Sequence, residues 1–286
     1  MNRVAIVTDT TACIPKEQVK KCGLEIVPVL LVFGEKTYRD GIDISPTEFY
    51  KLLRETDKLP TTSASSPDPY INAFRNASRR AQSILCLTEP SRFTAMYNAA
   101  RVARETVLTS LPDTVIEVLE CTTAAAGLGL TALAAARAAE AGKSLDEVLS
   151  EARQVMSRVH LYATLDTLHY LVKGGRVPQA AALINSLLKI KPVFTIDQGD
   201  AHTVALPRTI PGAVKRMLQL MEEKVVRGEQ LHAAVMHAAV PDKAAALKKR
   251  IAAQFDDAEI FITEFTPVMG VHTGPGLLGI AFYSGS

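Results

Sequence analysis

Val4-Ala5-Ile6-Val7-Thr8-Asp9-Thr10-Thr11 is a short apolar run that breaks off into hydroxyls and a carboxylate. Four apolar residues closed off so abruptly suit a buried strand over residues 4–8. Runs of the same kind recur at residues 26–33, 83–87 and 114–119, with helical patterns between them, which predicts a parallel sheet covered by helices. Open α/β sheets present ligand-binding residues at the carboxyl ends of their strands, so Thr8 to Thr11 is a candidate site. An Asp in that place serves equally well as a helix cap. Residues 34–40 read as a hairpin. Ser45, Pro46 and Glu48 supply a cap, a first-turn proline and a capping-box partner, and Ser66 with Pro67 and Ser144 with Glu147 repeat that start signal.

The second half has a different rhythm. Apolar runs at residues 161–165, 192–196, 202–206, 231–237, 259–264 and 277–283 are separated by helical segments at 180–188, 212–226 and 242–255. Gln198, Gly199 and Asp200 form a hairpin turn that joins two runs directly, so this sheet is expected to be mixed. The fold class is therefore α/β in two domains: an N-terminal three-layer domain with a parallel sheet, residues 1–159, and a C-terminal domain with a mixed sheet, residues 160–286. A helix over residues 124–141, built almost wholly from Ala, Leu and Gly, precedes a second helix at 145–159 and is suited to close packing.

Composition excludes several classes. The chain has 286 residues, 48% hydrophobic and 22% charged, within the range of ordinary globular proteins. With 32 Lys and Arg against 30 Asp and Glu, no global field favours a nucleic acid or an anionic membrane. Residues 1–10 carry no signal-peptide pattern, and the uncharged run 121–136 is short of the ~20 strongly apolar residues of a spanning helix, so no stable membrane insertion is expected. Cys13, Cys22, Cys86 and Cys121 show no metal spacing and read as reduced thiols, which points to the cytoplasm. No metal and no cofactor are expected, for the nucleotide-binding glycine fingerprints are absent after the first strand.

Several segments concentrate groups suited to an anion. Pro60 to Ser66 holds five hydroxyl side chains in seven residues, more than a helix cap requires. Thr88-Glu89-Pro90-Ser91-Arg92-Phe93-Thr94 stands at a strand-to-helix junction. Lys173-Gly174-Gly175-Arg176 closes an apolar helix over 165–172, and Val177-Pro178 would aim Arg176 inward, where a guanidinium needs an anionic partner. His272-Thr273-Gly274-Pro275-Gly276 reads as a loop in which glycine amides could approach a ligand beside an imidazole, or as a plain tight turn.

Taken in order, Thr8-Asp9-Thr10, Val27-Pro28-Val29 with Tyr38-Arg39-Asp40, Pro60-Thr61-Thr62-Ser63, Gly174-Gly175-Arg176, Ile190-Lys191-Pro192 and His272 to Gly276 resemble the DegV family of bacterial fatty-acid-binding proteins along essentially the whole chain. The resemblance implies a fatty acid held between two α/β domains. It implies a protein that is not itself an enzyme but the acyl-carrying subunit of a fatty acid kinase system. A separate ATP-binding kinase subunit would convert the carboxylate to acyl phosphate for phospholipid synthesis. It places carboxylate contacts at Thr61 or Thr62 with Ser63, and at Thr94. Arg176 and His272, with Thr273 and Gly274, would complete the polar network, and Arg208 would touch the kinase. The family usually shows Ser-Gly-Thr-Tyr where this chain has Thr94-Ala95-Met96-Tyr97, a departure expected to alter the head-group geometry or the preferred chain.

Elementary energetics suit such a ligand. A dozen methylenes at ~0.8 kcal/mol each gain about 10 kcal/mol on burial, while the carboxylate needs surrounding donors to offset its desolvation. The alternatives are a hydrolase or phosphotransferase using Thr62, Thr94 or His272 directly, and a regulatory module for another small carboxylate.

Overall fold

The computed structural model describes residues 4–56, 59–63, 66–177, 180 and 190–285. Strand β1 (Val4–Asp9) leads through a 3-10 turn (Thr10–Ala12) and α1 (Lys16–Lys21) to β2 (Glu25–Val27). A hairpin of β3 (Leu30–Phe33) and β4 (Lys36–Arg39) follows, then α2 (Pro46–Arg54), β5 (Thr61–Ser63), α3 (Asp68–Ser78), β6 (Ser83–Thr88), α4 (Met96–Val107) and β7 (Val115–Glu120). Helices α5 (Ala126–Glu140) and α6 (Leu145–Arg158) precede β8 (His160–Thr164), α7 (His169–Gly174), β9 (Val193–Asp197) and β10 (Asp200–Ala205). The chain ends with α8 (Ile210–Lys224), β11 (Leu231–His237), α9 (Pro241–Ala252), β12 (Glu259–Glu264), α10 (Pro267–Thr273) and β13 (Leu278–Ser284).

These strands form three sheets. The first is parallel, in the order β2-β1-β6-β7; the second is a small antiparallel sheet, β4-β3-β5. The third, β10-β9-β8-β13-β11-β12, is mixed, with β11 and β12 parallel and its other pairs antiparallel. Gln198 and Gly199 turn β9 into β10 with φ of 48° and 77°, the left-handed pair of a tight hairpin.

Four local expectations are corrected. The run 26–33 is two strands, because Pro28 lacks an amide hydrogen and lets the chain pass from the parallel sheet, where Asp9 pairs Val27, to the small one, where Leu31 pairs Thr62. The hydroxyl-rich stretch, read as a segment ahead of a helix, holds a strand, Thr61–Ser63, paired with Leu30 to Val32. Ser66 does not cap α3; Pro67 occupies the N-cap, and the Ser66 hydroxyl donates to the Asp68 carboxylate at 3.1 Å. The helix placed at 165–172 starts later, at His169, because β8 and its connection occupy the preceding residues. The Ser45 and Ser144 capping boxes both form. The helix expected over residues 180–188 lies, apart from Ala180, outside the described residues.

One face of the mixed sheet packs on α8 and α9 through Val193, Val235, Ile280 and Phe282. Half of the opposite face, Ala234 and Met236 of β11 with Ala281 and Tyr283 of β13, is covered by Ala126, Leu130 and Ala134 of α5. The other side of α5, through Leu128, Ala132 and Ala135, covers Val4, Ile6 and Leu85 of the parallel sheet. A helix enclosed by two sheets has no polar stripe to offer, which accounts for its composition. Close approach adds a further constraint: a Cβ on Gly129 would stand 2.5 Å from the Ala12 carbonyl oxygen.

Candidate functional site

The uncovered half of that sheet face bounds a cavity of about 720 Å³. Its floor is Leu161 and Ala163 of β8, Phe194 and Ile196 of β9, and Ala201 of β10, which share a face because Ala163 pairs Phe194 and Ala201 pairs Ile196. Across from the floor lie Thr62 and Ser63 of β5, the turn Phe93 to Ala95 before α4, and Met269, His272 and Thr273 of α10.

Helix α10 is held from below. Tyr50 of α2 donates to the Phe265 carbonyl at 3.2 Å, and Thr266 donates to the Thr10 carbonyl at 3.2 Å. Gly270 permits the contact with α2, since a Cβ there would lie 2.6 Å from the Phe49 ring. Its last turn carries His272, whose Nε2 is 3.5 Å from the Thr62 hydroxyl. A Cβ on Gly174 would fall 2.8 Å from His272 Nδ1, so the end of α7 lies against the imidazole. Arg176 continues the row, donating to the carbonyls of Gly174 at 2.7 Å and Phe93 at 3.4 Å. Thr62, His272, Arg176 and the Phe93–Thr94 turn thus form one polar corner of a cavity with an apolar floor. Burial, reinforced by the Arg176 charge, pushes the His272 imidazole down to about 4, so it is neutral at neutral pH. Its buried Nδ1 has no hydrogen-bond partner among the described residues.

Of the sequence-derived candidates, Thr62, Ser63, Thr94, Arg176, His272 and Thr273 line the cavity. Thr61 is exposed and outside the wall, and Arg208 is exposed between β10 and α8. Gly274 is corrected: it is not a cavity residue, and its amide donates to the Gly270 carbonyl at 2.8 Å, while Gly276 donates to the Ala238 carbonyl at 2.7 Å. Neither amide is free for an anion. His272 and Thr273 therefore belong to a helix and not to a glycine-rich loop, and the glycines serve the turn that follows, at φ of 65° and 95°. A side chain on Gly274 would collide with the Tyr170 ring. Thr273 donates to the Met269 carbonyl at 3.1 Å, leaving its oxygen as an acceptor. Arg176 is exposed at the cavity mouth and not buried; it has no carboxylate partner among the described residues. Of the two altered positions, Ala95 faces the cavity, whereas Met96 is wholly buried in the core beside Cys86 and Ala100.

Two further residues of the wall come from segments the sequence marked, though neither was singled out as a ligand contact. Thr11 and Glu89 follow β1 and β6, and Glu89 is 4% exposed. Burial, with the nearby Asp9 charge, pushes the Glu89 carboxyl up to about 8, against the pull of its bond from the Ala125 amide at 3.2 Å. Asp9 is the cap of the 3-10 turn, accepting from the Thr11 amide at 2.9 Å and hydroxyl at 2.5 Å, and from Tyr70 at 3.0 Å. Asp40 is also wholly buried, and burial pushes it up to about 6; Arg39 turns away from it to Asp43. Among the described residues no cluster of three His, Cys, Asp or Glu side chains could hold a metal ion, and no helix is long and apolar enough to cross a membrane.

Comparison with known proteins gives a consistent result. A family model described as an uncharacterised protein of the DegV family matches residues 3–285. A DegV domain-containing protein of Clostridium acetobutylicum is 33% identical over 281 residues, 98% of each chain, and the DegV protein of Bacillus subtilis is 29% identical over 98% of each. Among solved structures, a fatty acid-binding DegV family protein of Thermus thermophilus superposes with a TM-score of 0.90 at 28% identity, covering 99% of both chains. A stearic acid-binding protein of Eubacterium ventriosum gives 0.90 at 26% identity, over 99% of this chain and 98% of that one. Sequence and architecture agree over the full length, and the chain belongs to the DegV family.

Proposed function

We propose that this protein binds a long-chain fatty acid in the cavity between its two sheets, with the carboxylate at the Thr62–His272–Arg176 corner and the chain along the floor of the mixed sheet. The observation that carries the reading is that junction: hydroxyl, imidazole and guanidinium meet at one corner of a cavity whose floor is formed by Leu161, Phe194 and Ile196. An amphiphile matches both parts, since the tail supplies affinity and the donors offset carboxylate desolvation. Relatives of the same architecture that bind fatty acids support it. Thr94 and Ser63 would add hydroxyl donors, and exposed Arg176 would lie nearest the mouth.

The protein would then present its ligand in the cytoplasm to a separate ATP-dependent kinase, which forms acyl phosphate, with Arg208 at the contact. Against direct catalysis, among the described residues His272 Nδ1 has no carboxylate to orient the ring as a general base. The test begins with denaturing purified protein and identifying what it releases by mass spectrometry; a long-chain fatty acid is expected. Protein that is lipid-free and binds no fatty acid on titration overturns the reading. Trapping acyl phosphate with hydroxylamine tests the second part. Product is expected only when kinase and ATP are both added, and sustained turnover by the isolated chain would favour a hydrolase or phosphotransferase.

A further inference from the structure

We infer that Glu89 is a positioning residue for acyl-chain selection: its carboxyl oxygen pins the Ala124–Ala125 turn, a piece of the cavity wall, in a backbone conformation that alanine does not hold unaided. The role rests on the acyl-binding reading and concerns the wall left to the chain once the carboxylate occupies the Thr62–His272–Arg176 corner. Residues 121–125 connect β7 to α5, and Ala124 and Ala125 are each 2% exposed and line the cavity. Ala125 stands at φ 50° and ψ −135°. Cys13, at φ 49° and ψ 40°, shares that φ but lies in the small left-handed well that L residues can enter. Ala125 lies outside the well, in backbone space used mainly by glycine, and such a residue persists only where its surroundings over-determine it.

The contacts of the turn divide by origin. The Ala124 carbonyl accepts from the Gly127 amide at 3.0 Å and the Leu128 amide at 3.4 Å, and the Ala125 carbonyl accepts from the Gly129 amide at 3.0 Å. These bonds belong to the first turn of α5 and move with it. The Ala125 amide instead donates to Glu89 Oε1 at 3.2 Å, and Glu89 stands just past β6, so this bond ties the turn to the parallel sheet. A carboxyl keeps an accepting oxygen whether or not it holds a proton, so the tie is independent of the charge on Glu89. Glu89 is 4% exposed, with the Thr11 hydroxyl at its flank, and burying a carboxyl beside Val29, Ala124 and Val268 is costly unless it is hydrogen-bonded. Once the tie is lost, Ala125 relaxes by rotation of the peptide plane between Ala124 and Ala125. Amide and carbonyl then exchange directions, and the wall changes in shape and polarity where the acyl chain passes.

The test titrates straight-chain acids from dodecanoic to eicosanoic into delipidated wild type, Glu89→Leu, Glu89→Gln, Ala125→Gly and the Glu89→Leu/Ala125→Gly double variant. Glu89→Leu is expected to change the affinity ratio between long and short chains by about tenfold, the value of one methylene gained or lost against a fitted wall. Glu89→Gln keeps an oxygen for the Ala125 amide and should keep the wild-type profile. Glycine takes the conformation of residue 125 unaided, so Ala125→Gly should raise the urea midpoint of the delipidated protein, and adding Glu89→Leu to it should leave the chain-length profile where Ala125→Gly alone puts it. An equal change of profile by Glu89→Leu in both backgrounds would mean that Glu89 meets the chain directly, and uniform weakening at every chain length would mean a structural role only; either result overturns the assignment. If Glu89→Leu does not fold, Ala125→Gly decides, since a lowered urea midpoint would show that the turn holds no strain for Glu89 to offset. Failure of wild type to bind any acid of the series would strike the acyl-binding reading instead.

Discussion

The same face of the mixed sheet is treated in two ways. Over β11 and β13 it is covered by α5, whose Ala126, Leu130 and Ala134 sit on Ala234, Met236 and Tyr283. Over β8, β9 and β10 the equivalent surface is left open to a cavity of about 720 Å³. Both halves are apolar, so composition alone does not separate them; what differs is the presence of a helix. The open half is a core that lacks its last layer, and on the reading proposed above an acyl chain would complete it.

The largest expected break in this comparison comes from paired truncations. Leu130→Ala, in the helix-covered half, should cost about 2–5 kcal/mol, because densely packed neighbours collapse little into the space left behind. Leu161→Ala, on the cavity floor, should fall near the low end of that range and change ligand preference, since its gap merges with existing space. Urea denaturation of the delipidated variants measures both, and equal costs would mean that the halves are packed alike.

Next is the pH dependence of the open half. The folded state holds His272 near 4, whereas an unfolded chain takes up the proton near 6.5. The folded state therefore excludes a proton that the unfolded state binds below pH 6.5. This contribution is fully present above pH 6.5 and is lost as the pH falls toward 4, on the order of 3 kcal/mol in all. Thermal unfolding of wild type and His272→Gln across pH 4–7 should show a shallower acid slope in the variant. A bound carboxylate, which favours the imidazolium, should also reduce the slope in the wild type.

Arg176→Ala should weaken fatty acid binding by about tenfold to a hundredfold, the value of one charged hydrogen bond of about 1.5–3 kcal/mol. Stability of the delipidated protein should barely change, for among the described residues Arg176 holds two carbonyls. Smallest of all, Arg92→Ala removes the exposed ion pair to Asp200 at 2.6 Å and should cost less than ~1 kcal/mol. A greater loss in calorimetry would show that the cavity rim carries more of the fold than its exposure suggests.

Elements specified by local signals were the more legible in the sequence. Strands at residues 231–237 and 259–264, both serine capping boxes and the Gln198–Gly199 turn declare themselves locally, through alternation, caps and turn residues. Thr61–Ser63 did not, because threonine and serine suit strands and turns alike, and pairing with Leu30 to Val32 decides the matter. His272 and Arg176 were found as residues, but their settings were not. The helix that carries His272 is short, and Arg176 lies at a mouth that exists only once the sheets meet. Glu89 left a faint signal, a carboxylate just past the apolar run Ile84 to Leu87 and Thr88. Its proton and its place in the wall depend on Asp9 and on the strand order, which no local pattern displays.

Because α5 is the inner layer of both large sheets, those sheets cannot hinge apart without exposing a helix thirteen of whose fifteen residues are buried. On the acyl-binding reading proposed above, a lipid would then enter and leave by a local door. Among the described residues two contacts stand at that rim: the hairpin tip at Gly199, whose amide donates to the Thr122 carbonyl at 2.8 Å, and the surface pair between Arg92 and Asp200. Cargo exchange would then loosen a latch at the rim while the spine stays shut.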